Sequence, residues 1–387
     1  MSIRSKEKSS SSRARAAGHR PTCSMSGLTT NRVLIINSYR KGKAATMSSR
    51  KNISFWVGII LSLFGLIQNS EAKSMDAKMQ GVTVQKVTFL NNSIPLVGNL
   101  YRPANFDKNK KYAAIVLIHP FGGVKEQTSG HYADQLAEQG FIAFAYDAAY
   151  QGESGGTPRL MEIPDMRIED ASCAVDYLVT LPEVDENRIG VVGVCTGGAY
   201  AVKVAQRDYR VKAVAGISTF DLGRARREGL NNSLSPEERV KRLEAVGKQR
   251  TRQARGEALQ IAAAIPDSPD QFTDQTPVLY REGYEYYRTP RGQHPNAPAR
   301  YVFTSLPRQM EFFPYDQIDT ISPRPVLLVA GENADTLYYS QDGYAKAKEP
   351  KELFLIPGAT HMDLYDKPQY MTPVVAKLKD FFGKALK

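Results

Sequence analysis

The sequence contains little cysteine and no long apolar run. Of its three cysteines in 387 residues, Cys23 lies in an N-terminal leader, so Cys173 and Cys195 alone remain for the rest of the chain. Two cysteines do not make a disulfide framework in a domain of this size. The apolar run at residues 53–67 has about 15 residues, fewer than the roughly 20 that a membrane-spanning helix needs. We therefore expect a domain held together by an ordinary hydrophobic core.

Net charge is also scarce once the leader is set aside. The chain carries a net charge of +11, but residues 1–72 hold twelve Lys and Arg against Glu7 and Glu71. The leader thus supplies ten of these charges, and the remainder is nearly neutral. A basic face for nucleic acid is not expected on such a domain.

Motifs for metals and nucleotides are absent from the sequence. No metal-ligand spacing and no P-loop occurs, and Gly152, Gly155 and Gly156 do not open a dinucleotide-binding unit. The sequence therefore predicts chemistry without a cofactor or a metal.

The leader divides into two parts. Residues 1–46 are rich in Ser, Arg and Lys without periodicity, and we interpret them as a disordered extension upstream of the physiological start at Met47. Residues 47–72 have a basic start, an apolar run and a small-residue ending, which is typical of a secretory signal peptide. We expect an exported protein, periplasmic or secreted, without stable membrane insertion after cleavage. An uncleaved anchor is the alternative.

After the leader, apolar strand-like runs alternate with helical segments. Runs without polar alternation at residues 113–119, 141–146, 189–194 and 211–217 predict a mostly parallel sheet covered by helices on both faces. The alternation of strands and helices is interrupted at residues 222–317, which contain a capping box at Ser235 and many charged residues and tyrosines. We therefore predict a core formed by residues 73–221 and 318–387, with a helical cap inserted at 222–317.

One short motif indicates the chemistry. Gly193 and Gly197 flank Cys195 between a predicted strand and a predicted helix, which is the pattern of a nucleophile elbow with cysteine in place of serine. A cysteine outside such a motif is usually a small packing residue, as we expect for Cys173. The helix start and a neighbouring imidazolium are expected to lower the pKa of Cys195 and to favour the thiolate.

Partners for Cys195 are expected at the carboxyl ends of other strands. Asp335 and His361 follow later strands, and the order nucleophile, acid, histidine is that of the α/β-hydrolases. His361 is predicted to hold and return the proton, and Asp335 to fix its tautomer. Asp221 is the alternative acid, whereas Asp147 is interpreted as part of a structural turn.

Backbone and cap residues complete the predicted site. The N–H groups of Thr196 and Phe121 are predicted to form the oxyanion hole. His119, Tyr287 and Arg288 are candidate substrate-binding residues, although His119 is also suited to shaping the oxyanion loop.

Several segments resemble a known group of enzymes. Residues 119–127, 150–156, 188–200, 287–292 and 357–366 resemble a bacterial, YcjY-like branch of the α/β-hydrolases related to dienelactone hydrolase, with fungal polyketide transferases also similar. The resemblance runs from about residue 80 to the end. It implies an α/β-hydrolase fold and a Cys195–Asp335–His361 triad. The cap departs from dienelactone hydrolase itself, and Phe121 stands where a tryptophan is expected.

Cysteine as the nucleophile restricts the expected substrates. A thiolate is itself a good leaving group, so it suits acyl groups attached to good leaving groups. The sequence predicts hydrolysis or acyl transfer of an activated ester, lactone or thioester, as a small-molecule substrate, through an S-acyl-cysteine. The alternatives are a catalytically silent binding protein and a peptidase or amidase.

Overall fold

The computed structural model describes residues 81–387. The predicted leader (1–46) and signal peptide (47–72) lie outside the described residues. Ten strands occur there: β1 Thr83–Asn91, β2 Ile94–Arg102, β3 Tyr112–Ile118, β4 Ile142–Tyr146, β5 Val184–Val194, β6 Val211–Ile217, β7 Ile261–Ala263, β8 Arg300–Val302, β9 Val326–Gly331 and β10 Lys351–Ile356.

Ten α-helices accompany the strands in the same part of the chain. They are α1 Thr128–Glu138, α2 Pro164–Val179, α3 Thr196–Arg207, α4 Leu222–Glu228, α5 Pro236–Ala254, α6 Val278–Arg288, α7 Leu306–Met310, α8 Leu337–Lys346, α9 Asp363–Asp366 and α10 Pro368–Ala385.

Eight strands form one sheet in the order β1-β2-β4-β3-β5-β6-β9-β10. β1, β2 and β4 pair antiparallel, and every later pairing from β4 to β10 is parallel. The connection from β3 to β4 runs towards the β1 edge of the sheet, and the connection from β5 to β6 runs towards the β10 edge. Right-handed crossovers therefore place α1 and α3 on opposite faces. This is the predicted α/β-hydrolase architecture, and the prediction is confirmed.

The buried centre of the sheet explains its strand sequences. β4 is buried at all five positions, and β9 at all six. A strand covered on both faces cannot alternate apolar with polar residues, which is why these segments are apolar throughout. The carboxyl ends of β3, β5, β6 and β9 meet at one edge, where the predicted site residues follow.

The predicted cap range, 222–317, contains α4 to α7 and a two-stranded antiparallel sheet of β7 and β8. Its long helix α5 begins with the capping box of Ser235 and Glu238, as the sequence indicates. The helix ends at Ala254, because Gly256 adopts a positive φ of 99° that leads the chain out of the helix. The following segment, Ile261–Ala263, is a strand.

Candidate active site

Cys195 occupies the sharp turn between β5 and α3. Its backbone has φ 58° and ψ −125°, a conformation that costs a non-glycine residue about 1–3 kcal/mol and that turns its side chain out of the sheet edge. The flanking glycines are required by close approach, since a Cβ at Gly193 would overlap the Gly197 carbonyl, and one at Gly197 the Ile118 carbonyl. The chain therefore folds here as a nucleophile elbow.

Two backbone donors converge on the Cys195 sulfur. The backbone N–H groups of Thr196 and Phe121 both lie near the sulfur, and the Thr196 hydroxyl lies 3.8 Å from it. Thr196 begins α3, and Phe121 lies in the loop after β3. The structure thus brings together the three residues that the sequence assigned to the nucleophile and the oxyanion hole. A substrate oxygen bound at these N–H groups would lie against the reacting sulfur.

The thiol is less acidic than the sequence suggested. Burial raises the pKa of the Cys195 thiol, although the hydrogen bonds from Tyr365, Thr196 and Phe121 act to lower it. Burial also lowers the pKa of His361 to about 3. The expected thiolate–imidazolium pair is therefore replaced in the resting site by a neutral thiol and a neutral imidazole, because both groups are removed from water.

His361 follows β10 and is fully buried. Its Nδ1 lies 2.6 Å from the Thr336 hydroxyl oxygen, and its Nε2 lies 3.5 Å from the Tyr365 hydroxyl. With the ring proton on Nδ1 donated to Thr336, Nε2 is left as the proton acceptor. The imidazole is thus oriented to act as a base through Nε2.

The predicted hydrogen bond between Asp335 and His361 is not formed. Asp335 Oδ2 instead accepts from the backbone N–H of Leu279, 2.9 Å away in the first turn of α6, and its Oδ1 has no hydrogen-bond partner among the described residues. A carboxylate is favourable at a helix N-terminus, which explains this use of Asp335. Thr336 takes the position beside Nδ1 that the sequence assigned to Asp335.

The alternative acids are also engaged elsewhere. Asp221 caps α4 by accepting from the Arg224 N–H at 2.8 Å, and burial raises its pKa to about 6. Asp147 accepts from the backbone N–H and the ammonium of Lys125, at 2.8 Å each, as part of a buried structural cluster. In the described structure, neither carboxylate hydrogen-bonds His361.

The substrate-binding candidates separate into one pocket residue and two structural residues. Tyr287 lines the pocket above Cys195. His119 does not, because its ring nitrogens bind the Pro120 carbonyl at 2.7 Å and the Ala148 N–H at 3.1 Å. Arg288 also lies outside the lining and donates to the Pro298 carbonyl at 2.8 Å. These contacts suit His119 to shaping the oxyanion loop and hold Arg288 within the cap range, and contact of either residue with substrate stays a prediction.

An apolar chamber of about 80 Å³ lies above the Cys195 sulfur. Core and cap both contribute to its wall, chiefly through Phe121, Phe220, Leu279, Tyr287, Met362 and Tyr365. Its size corresponds to about two or three water molecules, at roughly 30 Å³ each. It can hold a short acyl group over the thiol.

Two residues of the site were missed by the sequence reasoning. Thr336 is adjacent to the predicted acid, and only the backbone geometry shows which of the two side chains faces His361. Tyr365 lies four residues after His361, in the short helix that follows the histidine. That spacing was the available signal, within a segment already singled out by its resemblance.

Neither a metal site nor a membrane span is found in residues 81–387. No group of three or more His, Cys, Asp or Glu side chains there is arranged to hold a metal ion. None of the helices described is long and apolar enough to cross a membrane.

Comparisons with known proteins agree with the fold. The structure is similar to an α/β-hydrolase from a Penicillium species, GrgF, with a TM-score of 0.66 and 21% identity over 79% of this chain and 99% of that one. The fold is therefore the α/β-hydrolase fold, and residues 98–228 match the model of the dienelactone hydrolase family. The chain belongs to the same family as YcjY of Escherichia coli.

The bacterial relatives are similar over almost the whole described domain. YcjY of Escherichia coli, an uncharacterized protein, is 40% identical over 306 residues, which is 78% of this chain and 99% of that protein. The crystal structure of the hypothetical protein PA2218 of Pseudomonas aeruginosa has a TM-score of 0.74 and 39% identity, covering 79% of this chain and 94% of that one. More distant fungal relatives include the thiohydrolase aneE of Aspergillus aculeatus, 25% identical over 73% of this chain and 85% of that protein.

Proposed function

We propose that the protein is an exported hydrolase or acyltransferase that forms an S-acyl intermediate on Cys195. The observation that carries the proposal is the nucleophile elbow, which places Cys195 below an apolar chamber with the Thr196 and Phe121 N–H groups beside its sulfur. Fixed donors in a site shielded from water stabilise negative charge on a carbonyl oxygen far better than solvent does. A structural cysteine has no need of them.

The reaction follows from the positions of these groups. The acyl carbon is held over Cys195 with its oxygen at the two N–H groups, and the sulfur attacks as its proton passes to His361 Nε2. The Thr336 hydroxyl accepts from Nδ1 and keeps the imidazole in the correct tautomer. Loss of the leaving group leaves the acyl-cysteine, which water or an acceptor nucleophile then cleaves.

The substrate class follows from the chemistry of sulfur. The tetrahedral intermediate expels the better leaving group, and a thiolate leaves more readily than an alkoxide. Esters of acidic alcohols, enol lactones and thioesters are therefore favoured over simple alkyl esters. The name of the fungal relative, a thiohydrolase, and the acyltransferase drtE of Aspergillus calidoustus, 24% identical over 76% of this chain and 93% of that protein, support this choice.

The test compares Cys195→Ala with Cys173→Ala, since Cys173 is a buried thiol in α2 outside the site. Turnover of p-nitrophenyl acetate and of an acyl thioester is measured beside that of ethyl acetate. We expect the two activated substrates to be hydrolysed by the native protein and by Cys173→Ala, and turnover to fall at least 10³-fold in Cys195→Ala. Full turnover by Cys195→Ala would refute the proposal.

A further inference from the structure

Tyr365 stands between the two groups that must exchange a proton. It lies in α9, is 1% exposed, and lines the chamber above Cys195. Its hydroxyl is 3.5 Å from His361 Nε2 and also lies beside the Cys195 sulfur. The same oxygen therefore faces both the acid and the base of the proposed reaction.

No direct hydrogen bond joins Cys195 to His361 among the described residues. The imidazole makes its contacts with Thr336 at Nδ1 and with Tyr365 at Nε2. The Tyr365 hydroxyl, which contacts the imidazole and lies beside the thiol, is therefore placed between the two groups.

The Tyr365 ring is held in place by its neighbours. It packs edge-to-face on Tyr286, with ring centroids 5.1 Å apart and an angle of 81° between the planes, and its side chain also lies beside that of Tyr287. A residue fixed in this way loses little further freedom when it takes part in a reaction.

We propose that Tyr365 is a catalytic residue that relays the proton between Cys195 and His361, an inference that rests on the function proposed above. As the sulfur forms its bond to the acyl carbon, the thiol proton moves to the Tyr365 oxygen while the Tyr365 proton moves to His361 Nε2. The carbonyl electron pair moves onto the oxygen held by Thr196 and Phe121. When the bond to the leaving group breaks, the imidazolium proton returns through Tyr365 to the leaving atom.

A relay requires that the phenol never lose its proton without gaining another. Burial and the nearby Cys195 raise the pKa of Tyr365 well above its ordinary value, so a free phenolate is strongly disfavoured. Tyr365 is thus neutral before and after each transfer, and His361 is the group that stores the proton.

The test is Tyr365→Phe with Tyr286→Phe as its matched control, because the buried Tyr286 hydroxyl has no hydrogen-bond partner within residues 81–387 and its ring packs on that of Tyr365. The nitrophenolate burst from p-nitrophenyl acetate gives the acylation rate. We expect Tyr365→Phe to acylate on the order of 100-fold more slowly at pH 7, with a rate that rises about tenfold per pH unit as direct ionisation of the thiol takes over. Tyr286→Phe should remain within twofold of the native protein. Acylation by Tyr365→Phe within twofold of native, with an unchanged pH profile, would overturn the relay.

A second measurement on the native protein does not depend on the folding of a variant. The acylation rate is followed in mixtures of H₂O and D₂O. Two protons in flight predict a bowed dependence on the deuterium fraction, and a straight line would overturn the relay. Failure of the relay can be distinguished from failure of the proposed function. If the proposed function fails, Cys195→Ala retains its turnover. If only the relay fails, turnover still depends on Cys195.

Discussion

The Thr336 hydroxyl oxygen lies 2.6 Å from Nδ1 of His361, so a neutral hydroxyl supports the imidazole in the position where a triad carboxylate was expected. A hydroxyl can fix the tautomer but supplies no negative charge to stabilise an imidazolium. This agrees with the depressed pKa of His361, for which burial is the cause.

Thr336→Val removes this support while keeping the shape of the side chain. One neutral hydrogen bond is worth about 1–1.5 kcal/mol, so we expect acylation to slow by about tenfold. Asp335→Asn is the matched comparison, since its amide oxygen can still accept from Leu279, and it should acylate within about threefold of native. Stopped-flow acylation measures both variants, and a larger loss in Asp335→Asn than in Thr336→Val would restore Asp335 as the orienting residue.

The raised pKa of the Cys195 thiol predicts slow alkylation of the resting protein. The thiolate fraction at pH 7 is small, so the iodoacetamide rate should rise about tenfold per pH unit from pH 7 to 9. The rate is measured in a Cys173→Ala background, with N-acetylcysteine as the reference thiol. A fast rate that is constant from pH 5 to 8 would instead indicate a preformed thiolate–imidazolium pair.

The low pKa of His361 predicts that acid destabilises the folded protein. Its pKa is about 3 in the folded protein against 6.5 ordinarily, so below pH 6.5 the unfolded chain gains a proton that the folded protein does not. The free energy of unfolding therefore decreases as the pH is lowered from 6.5 towards 3, by up to about 1.4 kcal/mol per pH unit.

His361→Gln isolates that contribution, because the other buried titratable groups remain in both proteins. The advantage of the native protein over His361→Gln in urea unfolding should be about 2 kcal/mol smaller at pH 5 than at pH 7.5. An identical difference at the two pH values would show that folding does not lower the pKa of His361.

The chamber of about 80 Å³ predicts a preference for short acyl groups. Leu279→Ala opens its cap wall and should raise kcat/KM for p-nitrophenyl hexanoate about tenfold, with the acetate within threefold. Val246→Ala, a truncation in the buried cap cluster away from the chamber, is the control. Equal chain-length profiles in native and Leu279→Ala would show that the acyl group binds elsewhere.

The sheet and the elbow were predictable because their signals are local. Apolar strands such as Val326–Gly331 can be recognised from a few consecutive residues. The crowding that demands glycine at 193 and 197 arises within one turn and its neighbouring strand. Thr196 and Phe121 followed from the same elbow geometry.

The contacts around His361 were not predictable, because they depend on distant parts of the chain. Asp335 is engaged by Leu279, 56 residues away in the cap, which leaves His361 to the adjacent Thr336. Likewise, Arg288 faces Pro298 rather than the chamber, although it is next to the pocket residue Tyr287. Neither choice of partner is visible without the fold.

The central claim is that Cys195 carries the acyl group, and intact-mass spectrometry after brief exposure to p-nitrophenyl acetate tests it most directly. The account predicts that one acetyl group is added to the native protein and to Cys173→Ala, that it disappears with time, and that it is absent from Cys195→Ala. Turnover without a Cys195-dependent adduct, or an adduct that persists in Cys195→Ala, would contradict it.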